Sequence, residues 1–229
     1  ALALITLYSQ YQKRLWKLEL DKALELADEL LAAAEEAKDP AMLLVGNEER
    51  GVTLFEFGEL GPATQHLEKA LAVFDLRQSP SSLVEGARVT SLFFLYFCLW
   101  ELGYPDRAWT RSREMLEVAQ RSSVPYILAA APFYAALHNL RGGNPTAAQK
   151  YAEEAMVRTE EMGLVSLSAF ATSANGAALI AQGRYEEGIA GMREGISAIR
   201  ASGAPPPAWT LFYLAFGFGK AGRLQEGLE

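Results

Sequence analysis

The side chains able to carry chemistry are few in this 229-residue chain, and their spacing decides what they can do. His66 and His138 are the two histidines. They stand far apart, with no second His four residues on and no Cys nearby, whereas a metal site needs converging ligands. Surface or core-edge imidazoles are expected. Cys98 sits in the apolar run 93–100, which predicts a small buried hydrophobe; an activated thiol needs an electropositive, partly exposed setting. A lone cysteine also excludes an internal disulfide framework and a cysteine-rich zinc site. Paired carboxylates occur at Glu35-Glu36, Glu153-Glu154, Glu160-Glu161 and Glu186-Glu187. Adjacent residues on a helix do not face each other, so these belong to solvated faces, and Glu186 and Glu187 also complement a helix N-terminus.

Gly217, Gly219 and Gly222 spell G-x-G-x-x-G, the spacing that lets a pyrophosphate approach a helix N-terminus after a strand. The preceding stretch 209–216 reads as a helix, however, and an acidic ribose ligand about 20 residues further on is missing. Lys220 is followed by Ala221 and lacks the earlier Gly of a Walker A loop. No nucleophile, base and orienting group come together, so no catalysis and no cofactor are expected. Half of the residues are hydrophobic and 21% are charged, as in a packed protein. The net charge of −7 argues against direct nucleic-acid binding, which rests on clustered Lys and Arg. The apolar stretch 91–100 is shorter than the roughly 20 residues needed to span a bilayer. In residues 1–16 the charges follow the apolar part, the reverse of a secretory signal. The expectations are a cytoplasmic protein away from membranes and a piece of a longer one.

What positions the remaining side chains is an internal repeat. FEFGELGPATQHLEKAL, WELGYPDRAWTRSREML, LRGGNPTAAQKYAEEAM, IAQGRYEEGIAGMREGI and GKAGRLQEGLE each hold a Gly with a small residue five positions on. The anchors are Gly58, Gly103, Gly143, Gly183 and Gly222, followed by Ala63, Ala108, Ala148, Gly188 and Gly227. Leu18 with Ala23 gives a degenerate first copy, so the spacings are 40, 45, 40, 40 and 39 residues. The additional residues of the longest spacing fall around 77–84, where Ser79, Pro80, Ser81 and Ser82 mark a loop. Each unit predicts two antiparallel helices, A and B. In the second unit Leu67, Ala70, Leu71 and Phe74 form one stripe on helix B, which runs from about Pro62 to Phe74. Asp39-Pro40 and Ala204-Pro205-Pro206-Pro207 separate units, because the residue before Pro is pushed out of helical geometry. Seven residues before each anchor stands Gly51, Tyr96, Ala136, Gly176 or Ala215. Small residues there let helix A cross helix B closely, and Tyr96 should widen its crossing.

On these residues the chain resembles the tetratricopeptide repeat (TPR), which pairs a small residue in helix A, a turn Gly and a small residue opening helix B: here Gly51, Gly58 and Ala63, with Leu67 and Ala70 following. The usual period is 34 residues, and a period near 40 is similar to the longer-helix variety of maltose-activator-like bacterial regulators. The copies WELGYPDRAWTRSREMLEVAQ and IAQGRYEEGIAGMREGISAIRASGA and the ending YLAFGFGKAGRLQEGLE resemble the repeat regions of large bacterial signalling proteins that carry a cyclase-type or kinase-type domain and an ATPase domain ahead of the repeats. The resemblance implies an all-α, right-handed superhelical solenoid of about five and a half helix pairs in one repeat domain. The pairs fall at approximately 1–38, 40–76, 80–121, 124–162, 164–202 and an incomplete 205–229.

In such arrays the A helices line the concave wall. Mapping the frame places Tyr8, Trp16, Phe55, Phe93, Phe97, Trp100, Phe133, Leu137, Phe170, Trp209, Phe212 and Phe216 there, with Glu48, Glu56, Glu101, Arg141, Ser173 and Lys220 among them. Trp109, on helix B, falls off the wall. More rings face one way than packing between repeats requires, and an apolar groove with a few polar groups predicts a binding surface. The expected function is recognition of a peptide or of another domain of the same polypeptide, as the regulatory part of a bacterial signalling or transcription regulator. The alternative is a sensor whose aromatic groove closes on a small molecule such as a sugar. An open trough would favour the first, an enclosed pocket the second. End repeats without polar caps also predict self-association into a homo-oligomer.

Overall fold

The computed structural model describes residues 2–73 and 81–228. Among them the chain consists of twelve α-helices and no strand: α1 (Leu2–Trp16), α2 (Leu20–Ala37), α3 (Pro40–Glu56), α4 (Leu60–Ala72), α5 (Ser82–Glu101), α6 (Pro105–Gln120), α7 (Pro125–Arg141), α8 (Pro145–Glu161), α9 (Val165–Ala181), α10 (Tyr185–Ala201), α11 (Ala208–Lys220) and α12 (Leu224–Leu228). Odd-numbered helices are the A helices of successive repeats and even-numbered ones the B helices. Helix B of the second repeat starts at Leu60, slightly before the expected Pro62; Phe74 and the loop residues Ser79 and Pro80 lie outside the described residues.

The repeat frame shows most directly in the backbone. All five anchor glycines adopt positive φ, between 73° and 86°. At Gly58 the chain closes helix α3 with two bonds, Gly58 N–H to Phe55 O and Glu59 N–H to Leu54 O, both 2.9 Å. This satisfies carbonyls that the helix end would leave unpaired, and only Gly enters the left-handed region without steric cost. Leu18 makes the same turn at φ 55°, with Glu19 N–H bonding Arg14 O, so the degenerate copy keeps the geometry and bears the strain. Lys38 does likewise at φ 51°, between α2 and α3. Helix starts are fixed by side chains: Asp39 Oδ1 accepts from Ala41 and Met42 N–H, Ser81 Oγ from Val84 N–H and Asn144 Oδ1 from Ala147 N–H. Pro40, Pro105 and Pro145 open their helices, where no N–H is missed.

The chain divides into two compact units, Ala1–Ile127 and Leu128–Glu229, with the boundary inside α7. In the first, Leu30, Leu44, Val45 and Ala70 form one buried cluster. Val52, Ala63, Leu67, Leu95, Tyr96, Cys98, Leu99 and Ala108 form the next, and burying a single Leu such as Leu67 contributes about 1.5–3 kcal/mol. Close approach of A and B depends on the small residues. A Cβ on Gly51 would sit 2.7 Å from Leu67 Cγ. In the second unit a Cβ on Gly176 would lie 2.7 Å from Met192 N and 2.8 Å from Gly188 O, so α9 and α10 touch through their backbones. Tyr96, which takes the small residue's place in the third repeat, is fully buried and stacks on Trp100 with ring centroids 5.7 Å apart.

One expectation changes here. Helix α5 is longer than its apolar run suggested: Ser82–Glu101 spans 20 residues with mean hydropathy 1.4, long and apolar enough to cross a membrane by length and composition alone. Half of that stretch is buried inside the protein: Val84 and Ala87 join the Leu30–Ala70 cluster and Leu95, Tyr96, Cys98 and Leu99 the Val52–Ala108 cluster, the position of a core helix. The glycines of the G-x-G-x-x-G spacing follow no strand among the described residues. Gly217 is buried where a Cβ would meet the Ile180 and Ile189 side chains, and Gly222 is the turn after α11.

Candidate functional site

In the first unit the A helices α3 and α5 present a chain of aromatic rings. Phe55 meets Phe94 edge-on at 5.1 Å and Phe97 at 6.3 Å; Phe93 meets both Phe94 at 5.0 Å and Phe97 at 5.2 Å. Phe97 packs on Tyr96 at 5.3 Å, and Tyr96 on Trp100. Edge-to-face pairs of this kind add about 0.5–1.5 kcal/mol each beyond burial, so the row is held rigid by its own contacts. Phe55, Phe93, Phe97 and Trp100 all keep part of their surface exposed, while Tyr96 supports them from the interior. Phe94 belongs to the row without having been anticipated. Its helical offset from Phe93 concealed it.

Trp109 sits on helix B, yet its indole packs edge-on against Trp100 at 6.2 Å and against Tyr96 at 5.5 Å. Trp109 thus lies off the wall and packs against its aromatic residues from helix α6.

In the second unit Phe133 is 7% exposed and meets Phe170 at 6.0 Å and Trp209 at 6.4 Å, bringing α7, α9 and α11 together. Leu137 is buried. Arg141 is exposed and close enough to influence the Tyr213 phenol, which burial pushes up. Phe212 is exposed and stacks on Phe216, over whose ring Lys220 Nζ lies 5.5 Å from the centroid. Ser173 departs from the expected polar role. It is fully buried, its hydroxyl donates to Ala169 O at 3.0 Å, and it packs against Gly195, because its helical position faces α10.

Glu48 occupies the wall position of α3, ten residues before the turn glycine, as Phe93 and Phe133 do in their repeats. It is 5% exposed, and its neighbour Glu49 is 1% exposed. Nothing in the residue pattern marks this adjacent pair as buried. Gln12 Nε2 donates to Glu49 Oε1 at 2.8 Å, and the Tyr11 hydroxyl donates to the Glu49 carbonyl oxygen at 2.9 Å. Burial holds the Glu49 carboxyl up at about 8, only partly offset by the Tyr11 and Gln12 donors. Burial, and then the charge of Glu49, holds Glu48 well above the ordinary carboxylate range. The phenols of Tyr8 and Tyr11 are raised by burial and by these two carboxyls.

Neither histidine lies on a solvated face. His138 is fully buried. His66 is half-buried: Arg50 Nε donates to its Nε2 at 3.1 Å, so Nδ1 carries the proton and donates to Asn47 Oδ1 at 3.0 Å. Burial and the charges of Arg50 and Lys69 lower its pKa to about 4, and the ring serves as a neutral bridge between α3 and α4. Cys98 is buried and its thiol is pushed up to about 11, again by burial. Open clefts of about 340 and 460 Å³ lie away from the rings, against 183–187 and against α1 and α2.

No family model and no curated protein matches the sequence. Solved structures do match the fold. A Rap protein complexed with Competence and Sporulation Factor superposes over 97% of this chain and 71% of its own, with a TM-score of 0.74 at 13% identity. The apo form of RapI covers 99% of this chain and 94% of its own at 12% identity, TM-score 0.66. A tetratricopeptide repeat protein from Parabacteroides merdae ATCC 43184 covers 100% of this chain and 77% of its own at 16% identity, TM-score 0.54. The protein has an all-α, TPR-like helical-repeat fold.

Proposed function

We propose that the chain is a non-catalytic recognition module that holds a peptide segment, supplied by a partner or by another domain of the same polypeptide, on the aromatic face of its A helices. The observation that carries this reading is the row Phe55, Phe93, Phe97 and Trp100: partly exposed rings, fixed against one another, on neighbouring A helices. Rigid aromatic anchors of this type dominate interface energies, with losses of about 2 kcal/mol or more on truncation. The same fold in the Rap protein accommodates Competence and Sporulation Factor, which supports recognition as the use of such repeats. The likeness of the repeat copies to those of large bacterial signalling proteins supports a regulatory role.

Selection of a displayed random-peptide library on the chain tests the proposal. Peptides recovered on the wild type should bind Phe97→Ala at least about tenfold more weakly, the factor that 1.4 kcal/mol represents. Undiminished binding by a Phe97→Ala variant with wild-type circular dichroism would move the site off this face.

A further inference from the structure

Glu48 is a largely buried carboxyl for which no protein partner stands among the described residues. Among the described residues it makes no hydrogen bond and no ion pair, although only 5% of its surface is exposed. The groups that feel its charge are acidic or phenolic, namely Glu49, Tyr8 and Tyr11. On its own helix stands Glu49, occupied by Gln12 and Tyr11. On α1 stand Tyr8 and Tyr11, with Tyr126 of α7 near Tyr8. On the other packed helices Asp28 of α2 is tied to Arg50, His66 of α4 to Arg50 and Asn47, and Arg88 of α5 to Glu114 at 3.6 Å. A buried polar group without a partner is costly, and a carboxyl more so. A donor carrying positive charge is the partner that would favour the ionised form of Glu48. Glu48 also shares its wall position with Phe93, so it belongs to the face that presents the aromatic row.

We propose that the Glu48 carboxyl, with Glu49 and Tyr8 beside it, receives the cationic group of a Lys or Arg side chain from the peptide held on the α3–α5 face. This rests on the peptide reading given above and specifies the peptide's chemistry. Glu48 and Phe55 are seven residues apart on one helix, a rise of about 10.5 Å. An extended peptide covers that distance in about three residues. The occupant therefore carries a basic residue three positions from a bulky apolar one. Burial disfavours the charged form of Glu48 while the site is empty. An arriving cation favours the carboxylate, so the proton passes to the buffer as the peptide binds.

The probe is a flexible Gly/Ser heptapeptide with Arg and Leu three residues apart, titrated calorimetrically against the 229-residue chain alongside the same peptide with neutral citrulline for Arg. The Arg peptide should bind at least about tenfold more tightly at pH 7, with proton release seen as a dependence of the heat on buffer ionisation. Glu48→Gln should abolish the preference; Glu49→Gln serves if that variant does not fold. Phe97→Ala should weaken both peptides alike. Equal affinities of the two peptides for the wild type, with Phe97→Ala weakening both, would overturn the cation site and leave the aromatic groove standing. Binding by neither peptide would overturn both.

Discussion

The contact between α9 and α10 gives a prediction in which two neighbouring glycines respond with opposite sign. Gly176 and Gly191 are both helical and both lie where these helices meet, so each gains about 1 kcal/mol of helix propensity on substitution by Ala. Their surroundings differ. A Cβ at 176 would meet Met192 N at 2.7 Å and Gly188 O at 2.8 Å, backbone atoms that yield only if the two helices part. Overpacking of this kind typically costs about 1–3 kcal/mol. With contacts on two backbone atoms the upper part of that range applies, leaving Gly176→Ala destabilised by about 1–2 kcal/mol. At 191 the nearest atom to an added Cβ is Gly176 Cα at 3.5 Å, an ordinary contact, so Gly191→Ala keeps most of the propensity gain and is stabilised by about 0.5–1 kcal/mol. Thermal unfolding followed by circular dichroism at 222 nm reads both, at roughly 2–4 °C per kcal/mol for a chain of this size. Shifts of the same sign, or a silent Gly176→Ala, would refute the claim that A and B helices here touch through their backbones.

Two further outcomes follow from the first unit. Glu48 and Glu49 have carboxyl pKa values raised on folding, so their protonated forms favour the fold. That contribution is complete below the unfolded value near 4.3 and is lost as pH rises toward about 8 for Glu49, at up to about 1.4 kcal/mol per pH unit for each carboxyl. The melting temperature of the wild type should therefore fall between pH 5.5 and 8.5 relative to Glu49→Gln, and parallel profiles would contradict the burial argument. Leu18 and Lys38 hold left-handed backbone that costs a side-chain residue roughly 1–2 kcal/mol. Leu18→Gly and Lys38→Gly should each raise the urea midpoint by about 1 kcal/mol in stability, and a loss at both would show that these turns are not strained.

The helix pairs were legible because the repeat announces itself through backbone demands. Glycine is favoured wherever an α-helix ends in a left-handed residue, and Gly58, Gly103, Gly143, Gly183 and Gly222 all take that conformation. Leu18 was placed by period alone and adopts it too. The face of Phe55, Phe93, Phe97 and Trp100 followed from the same frame. What periodicity could not supply was the far partner of each side chain. Ser173 looked like a polar wall residue until its hydroxyl was found turned to Ala169, against α10. The contact of Trp109 with Trp100 crosses from α6 to α5, so the repeat frame alone does not show it. Glu49 resembles any helical glutamate in sequence, and its burial depends on Tyr11 and Gln12, 38 and 37 residues away. The division within α7 left no compositional mark, since it falls between Ile127 and Leu128 in an unbroken apolar stretch.

The claim that the aromatic face of α3 and α5 is where a peptide lies is tested most directly by photo-crosslinking. Benzoylphenylalanine placed at Phe97, and separately at Val157 on the exposed face of α8, is irradiated with a peptide selected on the wild-type chain. The peptide should crosslink to the Phe97 position and be displaced by excess unlabelled peptide, with no product at Val157. Equal crosslinking at both positions, or a product at Val157 alone, would contradict the account.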